Sequence, residues 1–149
     1  MTQFYNAINL NVFDFNKKCL LSLILLIYFL IITARSEWTM VTENSNGQTI
    51  YVDMQNIMEQ KGNVFFWELI DYNHRDEYGD LSAKIFIEGD CKKNRFKWLK
   101  LSYHKHAMAK DIVQDQKPSK LFTNWQNANL NSTSMAVLNF VCSNKGIIL

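Results

Sequence analysis

The feature of this sequence that most constrains its fold is an apolar run that begins at Cys19. Residues 19–32 read CLLSLILLIYFLII, and they follow Lys17 and Lys18. The run has the length of a signal-peptide core and is shorter than the ~20 apolar residues of a membrane-spanning helix. The pattern therefore predicts export, which places the folded domain in a compartment where disulfides form.

A candidate cleavage site follows the apolar run. Ala34-Arg35-Ser36 places small residues at positions −3 and −1 of a cut before Glu37, as signal peptidase requires. The sequence therefore predicts a signal peptide over residues 1–36 and one exported domain over residues 37–149. The alternative is an uncleaved membrane anchor that still leaves the domain outside, because the two lysines before the run stay inside.

The charge balance changes when the predicted signal peptide is removed. The whole chain carries 16 Lys and Arg side chains against 14 Asp and Glu side chains. Lys17, Lys18, Arg35 and Asp14 all lie within residues 1–36, so 13 basic and 13 acidic side chains remain. An exported domain with no formal net charge gives no support to a nucleic-acid partner, which a basic surplus would favour.

Two of the three cysteines, Cys91 and Cys142, remain after Cys19 leaves with the predicted signal peptide. In an exported chain of this size, two cysteines allow one intramolecular disulfide. It would close a loop of about 50 residues. Because such a bond lowers the entropy of the unfolded chain, it would stabilise the fold by roughly 4 kcal/mol. We expect a structural disulfide, with two buried free thiols or an intermolecular bond as the alternatives.

Alternating apolar and polar residues indicate β-strands. In residues 48–54, Ile50 and Val52 share one face of the chain while polar neighbours take the other, which is the pattern of a half-buried strand. Three further segments separated by polar turns show strand patterns, namely residues 64–72, 83–91 and 95–103. The first of these is apolar on both faces, which predicts a central strand covered on both sides. In the last, the apolar face changes near Trp98, which predicts a β-bulge.

The pattern weakens beyond these strands and returns near the C-terminus. Residues 111–114 fit a short strand, and the Asn-rich stretch around Trp125 reads as a loop. Met135, Leu138 and Cys142 then share one helical face after a run of Asn, Ser and Thr residues that can cap a helix. This predicts a C-terminal helix that carries its cysteine toward the sheet. A final strand is the alternative, because the segment is apolar nearly all round.

Several short motifs occur in an order and spacing that mark a family. They are Tyr51-Val52-Asp53, Trp67-Glu68-Leu69-Ile70-Asp71-Tyr72, Ser82-Ala83-Lys84, Glu88-Gly89-Asp90-Cys91, Arg95, Tyr103, Met108, Trp125 and Val141-Cys142. Together they resemble the surface-adhesin protein E family of small exported bacterial domains. No single motif is specific, and the resemblance rests on their order together with the two cysteines.

The resemblance implies an α+β fold: an antiparallel β-sheet meander with a C-terminal helix packed on it and one disulfide that joins helix to sheet. It also implies a non-enzymatic binding module without a cofactor, because the family takes its name from an adhesin that engages host extracellular proteins and can dimerise.

Lipid anchoring would need a cysteine at the end of the apolar run, where this sequence has Ala34-Arg35-Ser36. We therefore expect a periplasmic or secreted protein without a stable membrane span after signal cleavage. It would bind an envelope or host-matrix protein, and homodimer formation and attachment to the outer surface stay open.

A basic stretch between residues 91 and 106 supplies the candidate binding patch, which consists of Lys92, Lys93, Arg95, Lys97 and Lys100. Aromatic residues lie among these cations, and such a surface could combine phosphate contacts with base stacking. Predicted export excludes nucleic acid as the expected partner. The simplest interpretation is a strand with solvated lysines; the functional one is a patch for an acidic protein, glycan or lipopolysaccharide headgroup. Acidic residues between positions 71 and 90 would neutralise part of its charge by cross-strand pairing.

His104 and His106 would place both rings on one strand face, with His74 as a third candidate ligand. Zinc takes four ligands, and carboxylates would have to complete the set, so we expect solvated histidines and no metal site.

No motif marks a nucleophile with its base, so we expect no catalytic residue. The alternatives are a periplasmic accessory or inhibitor-type protein and, from a different class, a small hydrolase. A hydrolase predicts a dominant pocket with one of these histidines beside a Ser or Asp.

Overall fold

The computed structural model describes residues 38–146, so the predicted signal peptide and its cleavage site lie outside the described residues. The strands are β1 (Trp38–Glu43), β2 (Thr49–Asp53), β3 (Met58–Gln60), β4 (Asn63–Asp71), β5 (Ser82–Asp90), β6 (Arg95–His104) and β7 (Gln126–Asn127). The helices are α1 (Lys120–Thr123) and α2 (Thr133–Asn144), and 3-10 turns lie at Met54–Asn56 and Ala107–Ala109. No helix within this range is long and apolar enough to span a membrane.

The strands form one antiparallel sheet in the order β1-β2-β4-β5-β6-β7, and the short β3 pairs with the beginning of β4. Val64 and Phe66 of β4 and Ile85 and Ile87 of β5 are buried, while the residues between them are only partly buried. This confirms the predicted alternation and the central place of β4. The expected cover on both sides of β4 is only partial, because Phe65 and Trp67 on its second face are partly exposed. Because α2 packs on the buried face, the predicted α+β fold with a C-terminal helix is confirmed.

A β-bulge interrupts the pairing of β5 with β6. Phe86 pairs with Lys100 and Ile87 pairs with Trp98, so Leu99 has no partner of its own. The bulge predicted near this position is therefore confirmed. The extra residue shifts the alternation by one position. The apolar residues therefore lie at even-numbered positions before the bulge and at odd-numbered positions after it, while the same face of the strand stays toward the core.

The C-terminal helix α2 begins at a side-chain cap. Ser132 Oγ accepts a hydrogen bond from the backbone N–H of Met135 at 3.2 Å, which satisfies one of the first four N–H groups of the helix. The buried residues of α2 are Met135, Val137, Leu138 and Val141. Met135, Leu138 and Val141 follow one another at intervals of three, and Val137 lies four residues before Val141, so the four share one helical face. The alternative of a final strand is therefore wrong.

Three details differ from the sequence-based expectations. Residues 111–114 form no strand, because the Asp111 carboxylate accepts two backbone N–H groups just beyond β6 and fixes the segment as a loop. The stretch around Trp125, read as a loop, contains α1 and β7. The alternation of residues 83–91 predicts that Asp90 points outward, yet Asp90 is buried, because its carboxylate accepts the N–H groups of the following turn.

The predicted disulfide is present and joins the end of β5 to α2. Cys91 and Cys142 are bonded through their sulfur atoms at 2.00 Å, with a Cα–Cα distance of 5.9 Å. The alternative of free thiols is therefore wrong for this structure. The bond attaches the C-terminal helix covalently to the central part of the sheet.

Close packing between α2 and the sheet depends on a glycine. A Cβ atom built on Gly89 would lie 2.7 Å from Leu138 Cδ1 and 3.0 Å from Val64 Cγ2. Gly89 does not have the left-handed backbone of the turn glycines, so its role is to leave space for the helix rather than to allow a tight turn.

We expect the double variant C91S/C142S to lower the free energy of unfolding by about 2–4 kcal/mol, because the unfolded chain regains loop entropy. Urea denaturation of the oxidised domain measures this difference. Dithiothreitol should lower the stability of the wild type to the same level and leave the variant unchanged. Equal stability of variant and oxidised wild type would contradict the role of the bond.

We expect Gly89→Ala to cost about 1–3 kcal/mol in the free energy of unfolding, because the added methyl group overpacks the contact with α2. The same substitution in a Leu138→Ala background should cost clearly less, because the nearest atom has been removed. Urea denaturation of the wild type, the two single variants and the double variant completes this double-mutant cycle. Equal costs in both backgrounds would show that Leu138 is not the obstacle.

Candidate binding surface and cavity

The two faces of the sheet differ, because α2 covers only one of them. The opposite face, which we call the open face, presents Phe65 and Trp67 of β4 and Phe86 of β5, all partly buried. The ring centroids of Phe65 and Phe86 are 6.4 Å apart, and those of Trp67 and Phe86 are 4.9 Å apart. Lys84 Nζ lies 4.5 Å from the Trp67 ring centroid. We call these three rings the aromatic patch.

Two members of the candidate basic patch, Arg95 and Lys97, are engaged by acidic residues of β5. Arg95 Nε lies 3.1 Å from Asp90 Oδ2, and Lys97 Nζ lies 2.8 Å from Glu88 Oε2. Both cations also stand over the Trp125 ring, at 4.4 and 4.6 Å from its centroid. These contacts fix both side chains by cross-strand pairing and cation–π attraction.

The other three cations of the patch are exposed. Lys92 and Lys93 lie in the turn between β5 and β6, and Lys100 lies further along β6. Lys100 Nζ is 4.0 Å from Asp115 Oδ2, a distance at which an exposed pair adds little stability. The structure thus brings all five cations to one strand and its turn.

Asp90 organises the turn that carries the two exposed lysines. Burial alone would raise the pKa of its carboxyl group, but the hydrogen bonds from the Arg95 side chain and from the backbone of Lys93 and Lys92 outweigh that effect and lower the pKa. The carboxylate therefore stays ionised, and it holds Arg95 and the turn in place.

A chain of three polar residues lies where the segment after β6 covers one end of the open face. Ser102 Oγ is 3.0 Å from His104 Nε2, and His104 Nδ1 is 3.3 Å from Asp111 Oδ1. Burial raises the pKa of the Asp111 carboxyl group, but backbone N–H donors, first that of Lys105, together with the nearby His104 lower it below its usual range. The order of the three residues is that of a Ser-His-Asp hydrolase site, but His104 Nδ1 forms its hydrogen bond with the backbone carbonyl oxygen of Asp111, at 3.2 Å.

Access excludes this group as a catalytic site in the described structure. Ser102 has 0 % of its surface exposed and His104 has 2 %, so a substrate carbonyl cannot reach the hydroxyl group. The three residues satisfy one another as a buried polar network. The expectation that His104 is solvated is therefore wrong, because Asp111 folds back over it. No sequence signal linked Asp111 to this role, since it lies in an irregular segment.

The remaining histidines lie apart from any cluster of ligands. His106 is exposed, with Nδ1 3.6 Å from Asp111 Oδ1, and His74 lies in the loop between β4 and β5 beside a shallow surface depression. Over residues 38–146, no group of three His, Cys, Asp or Glu residues could hold a metal ion.

A cavity of about 220 Å³ lies between the sheet and α2. Most of its lining is apolar, with Phe66, Ile87 and Trp98 from the sheet and Val137 from the helix. Glu68 of β4 also lines it, and burial raises the pKa of this carboxyl group to about 7. The sequence did not single out Glu68, because a lone acid within an apolar strand resembles an ordinary solvent-facing residue.

The family model described as surface-adhesin protein E matches residues 38–143, which is most of the chain. The chain belongs to the surface-adhesin protein E family. This confirms the resemblance drawn from the order of motifs and the two cysteines. Membership implies an exported, adhesin-like surface protein.

Solved structures of family members share the fold. Crystal form II of Haemophilus influenzae protein E is 15% identical in sequence, with a TM-score of 0.57, and the match covers 76% of this chain and 92% of that chain. Protein E from non-typeable Haemophilus influenzae is 14% identical, with a TM-score of 0.54 and coverage of 77% and 81%. At such identities the likeness concerns the fold alone. No curated protein matches the sequence.

The raised pKa of Glu68 in this family member predicts a pH-dependent stability. The folded-state pKa of about 7 lies above the ~4.3 of an unfolded Glu, so the folded state binds more protons between these values. The contribution to stability is therefore present at low pH and is lost as the pH rises through about 7. Above that pH, Glu68→Gln should be more stable than the wild type by roughly 1–2 kcal/mol, because partial access to water limits the cost of the charge.

Urea denaturation at a series of pH values measures the difference between Glu68→Gln and the wild type. The control is Glu77→Gln, which removes an exposed carboxyl group of the loop between β4 and β5 and should keep the wild-type pH dependence. A difference between Glu68→Gln and the wild type that stays constant with pH would contradict the assignment.

Proposed function

We propose that this family member is a non-enzymatic, exported binding module of the bacterial envelope that holds a protein partner on its open face. The aromatic patch supports this proposal most directly, because three contacting rings stay partly exposed on a face that α2 leaves uncovered. Aromatic residues and arginine are enriched in protein interfaces and supply most of the large single-residue contributions to affinity.

The charges around the aromatic patch suggest the chemistry of the partner. Lys84 stands over Trp67, and Lys92 and Lys93 are exposed at the end of the neighbouring hairpin. Within the described residues, neither of these two turn lysines forms an ion pair. We therefore infer a partner with an apolar centre for the rings and acidic groups at the rim, and the predicted basic patch serves as that rim.

The proposed setting follows from the predicted export signal. The signal peptide over residues 1–36 is removed before Glu37, and the domain over residues 37–149 works in the periplasm or outside the cell. It acts there as a monomer or a homodimer, and its partner is an envelope protein or a host-matrix protein. The disulfide and the family membership support an oxidising, extracytoplasmic location.

A capture experiment with the exported protein tests the proposal. The intact mass of the product is measured first and should correspond to a cut before Glu37 with the disulfide formed. The immobilised protein is then exposed to envelope and host-matrix proteins. For the partner it retains, Trp67→Ala should weaken binding by about tenfold or more, because a buried aromatic anchor is lost. The double variant K92E/K93E should chiefly slow association and reduce its salt dependence.

Matched variants separate the open face from general surface effects. Tyr78→Ala removes an aromatic ring that is 74% exposed in a loop outside the sheet and should leave affinity unchanged, as should Lys117→Glu in the segment after β6. Circular dichroism establishes that each variant is folded. Recovery of nucleic acid alone, or equal loss of binding in Tyr78→Ala and Trp67→Ala, would overturn the proposal.

A further inference from the structure

We propose that the cavity between the sheet and α2 is a binding site for a small organic cation with an apolar body, whose ammonium group pairs with the Glu68 carboxylate. A primary amine that carries one aromatic ring represents this class. The proposal is independent of the partner on the open face, because Glu68 and the aromatic patch lie on opposite faces of the sheet.

The size of the cavity fits such a ligand. Its volume is about 220 Å³, whereas an apolar cavity of ~150 Å³ in another protein is large enough to hold benzene. One aromatic ring with a short amine-bearing arm therefore fits without displacement of the helix. The rings of Phe66 and Trp98 and the side chains of Ile70, Ile87 and Val137 provide the apolar wall, which is the usual composition of a small-molecule site.

The charge in the cavity selects a cation. Glu68 is the only ionisable residue among the twelve that line it. Its carboxyl group forms no hydrogen bond or ion pair in the described part of the chain. A carboxylate held in an apolar space without a partner is unfavourable, and a bound ammonium group would remove that cost.

The beginning of α2 does not reverse this preference. Thr133 and Ser134 of its first turn line the cavity, and a helix N-terminus carries a partial positive charge. One of its N–H groups is already satisfied, because Ser132 Oγ accepts the N–H of Met135. A full negative charge on Glu68 then exceeds the partial positive charge that remains, so an anion is repelled and a cation is attracted.

The affinity should follow the ionisation of Glu68, which has no titratable neighbour in the cavity wall. Apolar residues face it from β2 and β5, and uncharged residues face it from α2. The pKa of Glu68 is about 7, so the amine should bind above that pH and bind progressively less tightly below it. An alkylammonium group stays protonated throughout this range, as lysine does, so the protein alone causes the change.

A nuclear magnetic resonance titration of the exported domain tests the site. Benzylamine at about pH 8, where Glu68 is ionised, should shift the backbone amides of the first two turns of α2 and the Trp98 indole in a saturable manner. Benzyl alcohol and benzoate, which have the same ring without the positive charge, should bind at least about tenfold more weakly. Glu68→Gln should reduce benzylamine affinity by a similar factor and leave benzyl alcohol affinity unchanged.

Two controls keep the test decisive. Glu77→Gln removes an exposed carboxyl group that does not line the cavity and should leave benzylamine affinity unchanged. If Glu68→Gln does not fold, the pH dependence of benzylamine affinity in the wild type tests whether Glu68 pairs with the amine. The absence of a saturable shift, equal affinity for benzyl alcohol and benzylamine, or a benzylamine affinity that is constant from about pH 5 to pH 8 would overturn the proposal.

Discussion

The attachment of α2 to the sheet is the interaction on which the other features of this domain depend. The bond between Cys91 and Cys142 fixes the helix to the end of β5. Gly89, two residues before the first of these cysteines, leaves the space into which Leu138 packs. A helix without this attachment would have to be held by apolar contacts alone, and a domain of this size buries a limited share of its surface. Covalent attachment and close packing therefore act together at one place.

The position of α2 divides the domain into two surfaces with different chemistry. On the helix side the sheet is buried, except where Glu68 lines a small cavity. On the open face, the rings of Phe65, Trp67 and Phe86 stay partly exposed beside paired charges. A sheet face with aromatic residues suits a protein partner, whereas a partly open, mostly apolar cavity with one carboxyl group suits a small molecule. One fold can therefore carry two binding sites that do not compete for the same residues.

The network of Ser102, His104 and Asp111 shows why connectivity alone does not establish a catalytic site. The three side chains lie in the order of a hydrolase triad and at similar distances, although the hydrogen bond of His104 Nδ1 goes to the backbone carbonyl of Asp111. The serine is nevertheless enclosed by the protein, and nucleophilic catalysis requires that the substrate reach the nucleophile. The same hydrogen bonds satisfy polar groups that the loop after β6 buries, which is a structural function.

The sequence by itself determined the features that depend on local pattern and composition. The alternation of residues 64–72 and the change of parity near Trp98 predicted the strands and the bulge, and the two cysteines outside the apolar run predicted the disulfide. Only the tertiary structure decided the environment of single polar residues. Glu68 faces a cavity, and His104 is buried by Asp111, because both outcomes depend on contacts between segments that periodicity does not specify. A period of two residues defines which side chains share a face, but packing decides what covers that face.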